Sequence, residues 1–168
     1  FTKISWISTL SGDMLLTERT YQAFYTKSQP IVSYMVKLLS PTEGDRILEP
    51  CAGDGVFIES ILSLHPSSII DAYEIHPASI ETLKNKFSSF PNVSIRLSDT
   101  LTDSDLSFKS NFGGNYERII GNPPYGAWQD YDKRKLLRKL FPDLYVRETY
   151  SLFLYRCTQL LKEGGRLV

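Results

Sequence analysis

The chain has 168 residues, 42% of them hydrophobic and 23% charged, with a formal net charge of zero. That length suits one domain with a sizeable core, and the composition excludes disordered and fibrous classes. No apolar run approaches the roughly 20 residues that cross a bilayer, the N-terminus lacks a signal-peptide pattern, and neutrality gives no overall pull toward nucleic acid. We therefore expect no membrane association and a cytoplasmic location. Cys51 and Cys157 lie far apart, without CxxC spacing or neighbouring His, so free thiols and no metal are expected.

The chain opens on Phe1 rather than Met and closes at Val168, soon after a Gly164-Gly165 turn. A fragment of a longer protein is expected, with residues 1–30 leading into a first helix and 31–168 forming an incomplete core. Ile31, Tyr34, Met35, Leu38 and Leu39 recur at the spacing of an amphipathic helix, which Pro41 ends. Arg46 to Pro50 reads as a short buried strand entering a glycine-containing turn, and Val56 to Leu64 as a helix. Ile69 to Ile75 predicts a second strand, and Pro77 to about Ser88 a helix with proline in its first turn. Val93–Leu97 predicts a third strand, 98–115 a polar stretch, and Tyr116–Ile120 a fourth strand. Lys133, Arg134, Lys135, Arg138 and Lys139 form a basic run, suited either to phosphates or to a solvated helix face. Tyr150 to Leu161 predicts a last helix, with a fifth strand from Arg166. Strands alternating with helices imply an α/β class: a Rossmann-like, doubly wound, mostly parallel sheet with helices on both faces, truncated before its last strands.

In such sheets ligands bind beyond the carboxyl ends of the strands, and the unusual residues fall there. Glu49-Pro50-Cys51-Ala52-Gly53-Asp54-Gly55 joins the first strand to a helix, with glycines at alternate positions that let a ligand approach the backbone. Ile58 stands where a dinucleotide fingerprint needs its third glycine, and Glu49 would repel a phosphate but suits an ammonium or sulfonium group. The bland alternative is a tight strand-to-helix turn. Glu74 ends the second strand about 20 residues on, the usual place for an acid that takes ribose hydroxyls. Asp99 follows the third strand, suited to an adenine amino group or to a plain Asx turn.

Gly121-Asn122-Pro123-Pro124-Tyr125 follows the fourth strand. Each proline forces its predecessor into an extended conformation, so the loop is stiff and its acceptors are held in place. An exocyclic amino nitrogen conjugated to a ring is a poor nucleophile until its hydrogens are drawn out of plane. The Asn122 side-chain oxygen and the Pro123 carbonyl can take one hydrogen each and stabilise the charge that develops on methylation. Tyr125 is placed to stack on an extruded base. Asn-Pro also occurs in ordinary turns, and an aromatic after two prolines in ordinary cores.

These motifs resemble the class I amino-methyltransferases, most closely the N6-adenine DNA methyltransferases of restriction–modification systems whose recognition domain lies C-terminal. The resemblance covers nearly the whole chain. It implies S-adenosyl-L-methionine as cofactor, held by Glu49, Pro50, Cys51, Ala52, Gly53, Gly55, Glu74, Ile75, Asp99 and Asn122, with Asn122, Pro123, Pro124 and Tyr125 as the catalytic motif. Phe24-Tyr25-Thr26 is similar to the N-terminal cofactor motif of that subgroup and implies contacts from Tyr25 and Thr26, although Lys27 stands where the subgroup usually has proline. The implied partner is double-stranded DNA with a flipped adenine, and the implied target-recognition domain or subunit lies outside this chain. Release-factor glutamine and ribosomal RNA methyltransferases share the Asn-Pro-Pro-Tyr chemistry and are the nearest alternatives. A non-catalytic cofactor-binding module of a larger restriction–modification protein is another. A nicotinamide-dependent dehydrogenase would share the fold class but leave the Asn-Pro-Pro-Tyr loop unexplained.

Overall fold

The computed structural model describes residues 26–110, 113–125, 131–144 and 148–168. Five strands, β1 (Arg46–Glu49), β2 (Ile69–Glu74), β3 (Val93–Leu97), β4 (Tyr116–Ile119) and β5 (Leu161–Leu167), form one sheet in the order β3-β2-β1-β4-β5. Every pairing is parallel. The helices are α1 (Gln29–Leu39), α2 (Val56–Leu64), α3 (Pro77–Lys86), α4 (Ser104–Ser110), α5 (Tyr131–Leu140) and α6 (Thr149–Leu160).

Alternation along the strands divides the core. Ile47, Ile70 and Ala72 pack against Val32 and Val36 of α1, Phe57, Ile58 and Ile61 of α2, and Leu83 of α3. Leu48, Tyr73, Tyr116 and Ile119 face the other way, toward Leu106 of α4 and Cys157 and Leu160 of α6. A smaller cluster, with Leu101, Leu137, Phe141, Leu152 and Phe153, holds α5 against the start of α6.

Strand positions agree with the sequence reading to within a residue or two, except that β5 begins at Leu161 rather than Arg166. The glycine pair lies inside that strand, where the β4–β5 register shifts between Tyr116 and Arg118, so what reads as a turn is an irregularity in a ladder. Helix α4 lies within the stretch read only as polar. The phase of α1 also differs. Val32, Val36 and Leu39 are buried, while Ile31, Tyr34 and Leu38 are exposed. This helix is apolar around most of its circumference, and the fit against α2 selects the stripe that goes inside.

On the second face the Asp71 carboxylate, buried on β2, accepts hydrogen bonds from Arg46 (2.9 Å) and from the Tyr116 hydroxyl (2.8 Å), tying β1, β2 and β4 together. Tyr116→Phe should lower stability by about 1.5–3 kcal/mol, the usual value of a hydrogen bond to a charged group. Urea denaturation measures it, and an unchanged midpoint would show that the triangle contributes nothing.

Candidate active site

The carboxyl ends of β1, β2, β3 and β4 lie along one edge, and the loops that leave them meet there. Each loop is tied to its neighbour. The Ala52 N–H donates to the Tyr73 carbonyl (2.8 Å), which anchors the glycine loop to β2. The Thr100 hydroxyl donates to the Pro50 carbonyl (2.5 Å), which brings the loop after β3 against the same segment. The Asn122 N–H donates to the Cys51 thiol, linking the loop after β4 to the glycine loop. A Cβ on Gly121 would lie 3.2 Å from the Pro50 ring, so the backbone of one loop packs closely on the side chains of the other.

Glu49 ends β1 with its side chain 1% exposed, and neither carboxylate oxygen has a hydrogen-bond partner. Burial, together with the nearby Asp54 and Glu74, pushes its carboxyl well above the ordinary value of 4.5, with Lys86 opposing. A buried carboxylate left unpaired is costly. It fits a ligand that brings a positive, hydrogen-bond-donating group into the glycine loop. Gly53 and Gly55 both have positive φ, and a Cβ on Gly55 would come within 2.7 Å of Leu83 and Phe87. The second glycine therefore also serves the packing of α3, so the tight-turn reading and the ligand reading of this loop coexist.

Glu74 is 8% exposed and already engaged: one oxygen accepts the Gly53 N–H and the other the His76 N–H, both at 2.7 Å. It shapes the glycine loop from across the crevice, and each oxygen retains a second lone pair toward the opening. Ile75 is exposed at the rim. Asp99 accepts the Leu101 N–H at 3.0 Å, the geometry of an Asx turn, and pairs with Lys133 of α5 at 2.6 Å. Any ligand group at Asp99 shares it with that lysine.

The Asn122 amide is held on both sides. Its nitrogen donates to the Thr26 hydroxyl (3.1 Å) and its oxygen accepts from the Tyr125 hydroxyl (3.1 Å). Thr26 thus meets Asn122 rather than standing apart on the N-terminal segment, and it sets which way the amide faces. Tyr125 is 57% exposed, with its ring 6.2 Å from that of Tyr150, the second residue of α6. Tyr25 lies outside the described residues. Among the described residues no cluster of His, Cys, Asp and Glu could hold a metal ion.

Sequence reasoning missed Arg156. It is 4% exposed in α6, and its guanidinium donates to the Ser107 hydroxyl (2.8 Å) and to the carbonyls of Thr100 and Asp103 (3.4 and 3.3 Å). It braces the loop after β3 from beneath. Its position on the stripe Leu152, Phe153, Arg156, Cys157, Leu160 was the available signal, a lone cation at helical spacing on an otherwise inward face.

The sequence model of the Eco57I restriction-modification methylase family matches residues 58–168, from α2 through β5. The chain belongs to this family. Within the wider group of relatives, it is 31% identical over 154 residues to the Type II methyltransferase M.AccI of Acinetobacter calcoaceticus, covering 88% of this chain and 27% of that protein. To M.HincII of Haemophilus influenzae it is 29% identical, covering 86% and 26%. The chain thus spans about a quarter of these relatives. Among solved structures, a modification subunit of a putative type I restriction enzyme from Vibrio vulnificus YJ016 superposes with a TM-score of 0.66 at 21% identity, over 95% of this chain and 37% of that one. This agrees with the Rossmann-like reading of the sheet.

Membership in this methylase family sharpens the question of what Glu49 does before a ligand arrives. A carboxyl whose pKa is raised on folding keeps its proton where the unfolded chain has released it. Its contribution to stability is therefore full below the unfolded value of about 4.5 and is lost as pH rises toward the folded one. In the ligand-free protein Glu49→Gln should gain on the parent as pH rises from about 4 to 7. Denaturant titrations at both ends check this, and a difference independent of pH would show that Glu49 is not buried as described.

Proposed function

We propose that this chain is the catalytic core of a DNA methyltransferase that transfers a methyl group from S-adenosyl-L-methionine to the N6 amino group of adenine, within a restriction–modification system. The observation that carries the reading is the pair of loops in contact: one presents an unpaired buried carboxylate, and the other a braced asparagine amide followed by an exposed tyrosine. The relatives, named as Type II methyltransferases, support the same direction.

The residues fit the cofactor. Glu49 would take its cationic methionine end, the Gly53–Gly55 backbone would lie against it, Glu74 would accept from ribose hydroxyls, and Asp99, with Ile75 at the rim, would meet its adenine. When bound, S-adenosyl-L-methionine supplies the methyl group, and the electron pair of the broken carbon–sulfur bond returns to sulfur.

The substrate side follows from the loop after β4. Asn122 Oδ1 and the Pro123 carbonyl accept the two hydrogens of N6, which turns the nitrogen lone pair out of the ring system and stabilises the positive charge that builds as the new bond forms. The nitrogen then loses one proton to solvent, so no covalent enzyme intermediate is needed. Thr26 holds the amide nitrogen, so that the oxygen faces the substrate. Tyr125 stacks on the extruded base, and to do so its hydroxyl gives up the bond to Asn122 Oδ1. In the free protein the phenol thus takes one of the two lone pairs of that oxygen. Such extrusion takes the target base out of the duplex stack.

Incubating the full-length protein with radiolabelled S-adenosyl-L-methionine and DNA, RNA and protein acceptors tests this. Label should appear in N6-methyladenine from DNA; label confined to RNA or protein overturns the substrate. Asn122→Ala should cost about 10²–10³-fold in kcat with little change in cofactor affinity, as loss of a transition-state acceptor does. Tyr125→Ala should weaken base binding by about 1–3 kcal/mol, while Tyr125→Phe, which keeps the ring and removes the competing hydroxyl, should not. Equal losses in the two tyrosine variants would argue against stacking.

A further inference from the structure

We propose that the exposed face of α5 is the surface that grips the phosphate backbone of DNA next to the active site; the proposal rests on the DNA reading above and adds where the duplex is held. The chain as a whole is neutral, yet five of its 19 lysines and arginines fall within the ten residues of α5, which carries a single acid, Asp132. Tyr131, Arg134, Lys135, Arg138 and Lys139 follow one another at i, i+3, i+4, i+7 and i+8, which places them on one helical face. All five are exposed.

The remaining cation is used differently. Lys133 turns away and pairs with Asp99, fixing α5 to the loop after β3, while Leu137 anchors the helix in the core. Among the described residues Arg134, Lys135, Arg138 and Lys139 form no ion pair. Four cations gathered on one helical face repel one another, and an anionic partner relieves this.

Dimensions and position favour nucleic acid. The stripe from Tyr131 to Lys139 is about 12 Å long, the axial length over which one DNA strand presents about three or four phosphates. Covalent geometry keeps it beside the base-handling loop, since the six residue steps from Tyr125 to Tyr131 span at most about 20 Å. An enzyme that pulls one nucleotide out of a duplex must hold the backbone flanking it, and α5 presents its charge within that reach. The exposed Tyr131 ring adds a flat surface at the end of the stripe nearest the loop.

The test is the salt dependence of binding to a short duplex by the full-length protein, followed by fluorescence anisotropy. The quadruple variant Arg134→Gln, Lys135→Gln, Arg138→Gln, Lys139→Gln should bind at least about tenfold more weakly near 0.1 M salt, and its plot of log affinity against log salt should flatten by about 2–4 units, near one per lost phosphate contact. Its melting temperature and its affinity for S-adenosylhomocysteine should stay as in the parent. The pair Lys37→Gln, Lys84→Gln on α1 and α3, across the sheet, should leave the slope unchanged. An unaltered slope in the quadruple variant, or an equal fall in the α1 and α3 pair, overturns the assignment; a fall confined to RNA, with duplex binding intact, overturns the partner. Binding is read independently of methyl transfer, so absence of N6-methyladenine would sink the proposed reaction while this surface could still be judged.

Discussion

Parallel pairing of β1 with β2 on one side and β4 on the other is the constraint on which the rest of the molecule depends. Parallel strands demand crossover connections, so every carboxyl end points the same way and every chemically unusual loop leaves from the same edge. Glu49, Glu74, Asp99 and Asn122 come from segments scattered over more than 70 positions. They meet because the sheet gives their loops nowhere else to go. The contacts of Ala52 with Tyr73, Thr100 with Pro50 and Asn122 with Cys51 then lock the convergence into one shape.

That shape is held at some cost. A carboxyl without partners at the end of a buried strand opposes folding, and a phenol that occupies the asparagine oxygen opposes substrate. Both are features of a ligand-free site prepared for something else. In the proposed reading the first is relieved by the cofactor and the second by the base, so the order and disorder of the site follow its ligands rather than its own packing energy.

Much of this was legible in the sequence because the strands are short, apolar and followed at once by loops rich in glycine or proline. Periodicity located β1 to β4, and loop chemistry located Glu49 and Asn122. Where it failed, the reasons are specific. Helix α1 has apolar residues at 31, 32, 34, 35, 36, 38 and 39, so two helical phases fit equally and only the surface of α2 decides between them. Helix α4 has the sequence Ser-Asp-Leu-Ser-Phe-Lys-Ser, with two apolar residues in seven, too few to show a period. The bond between Thr26 and Asn122 joins residues 96 positions apart. Pairing of Asp99 with Lys133, like the bracing by Arg156, is a tertiary match that neither partner announces alone.

Helix α6 ends at Leu160 and β5 begins at Leu161, with no loop residue between them. The junction is crowded as well: the Asn115 N–H donates to the Leu160 carbonyl, and a Cβ on Gly114 would lie 2.3 Å from the Leu161 carbonyl oxygen. The junction itself, rather than the strand that follows it, is where the chain lacks slack. The first turn of α6 carries Tyr150, and its last turn passes directly into the strand. An insertion between Leu160 and Leu161 would press on Gly114, whereas the segment from Leu161 to Arg166 already carries three more residues than the part of β4 it faces. The turns at Gly44 and Gly113, where an added side chain meets nothing within 4 Å, have room for such insertions. Tolerance to rearrangement in this domain is thus set by where the chain has spare length.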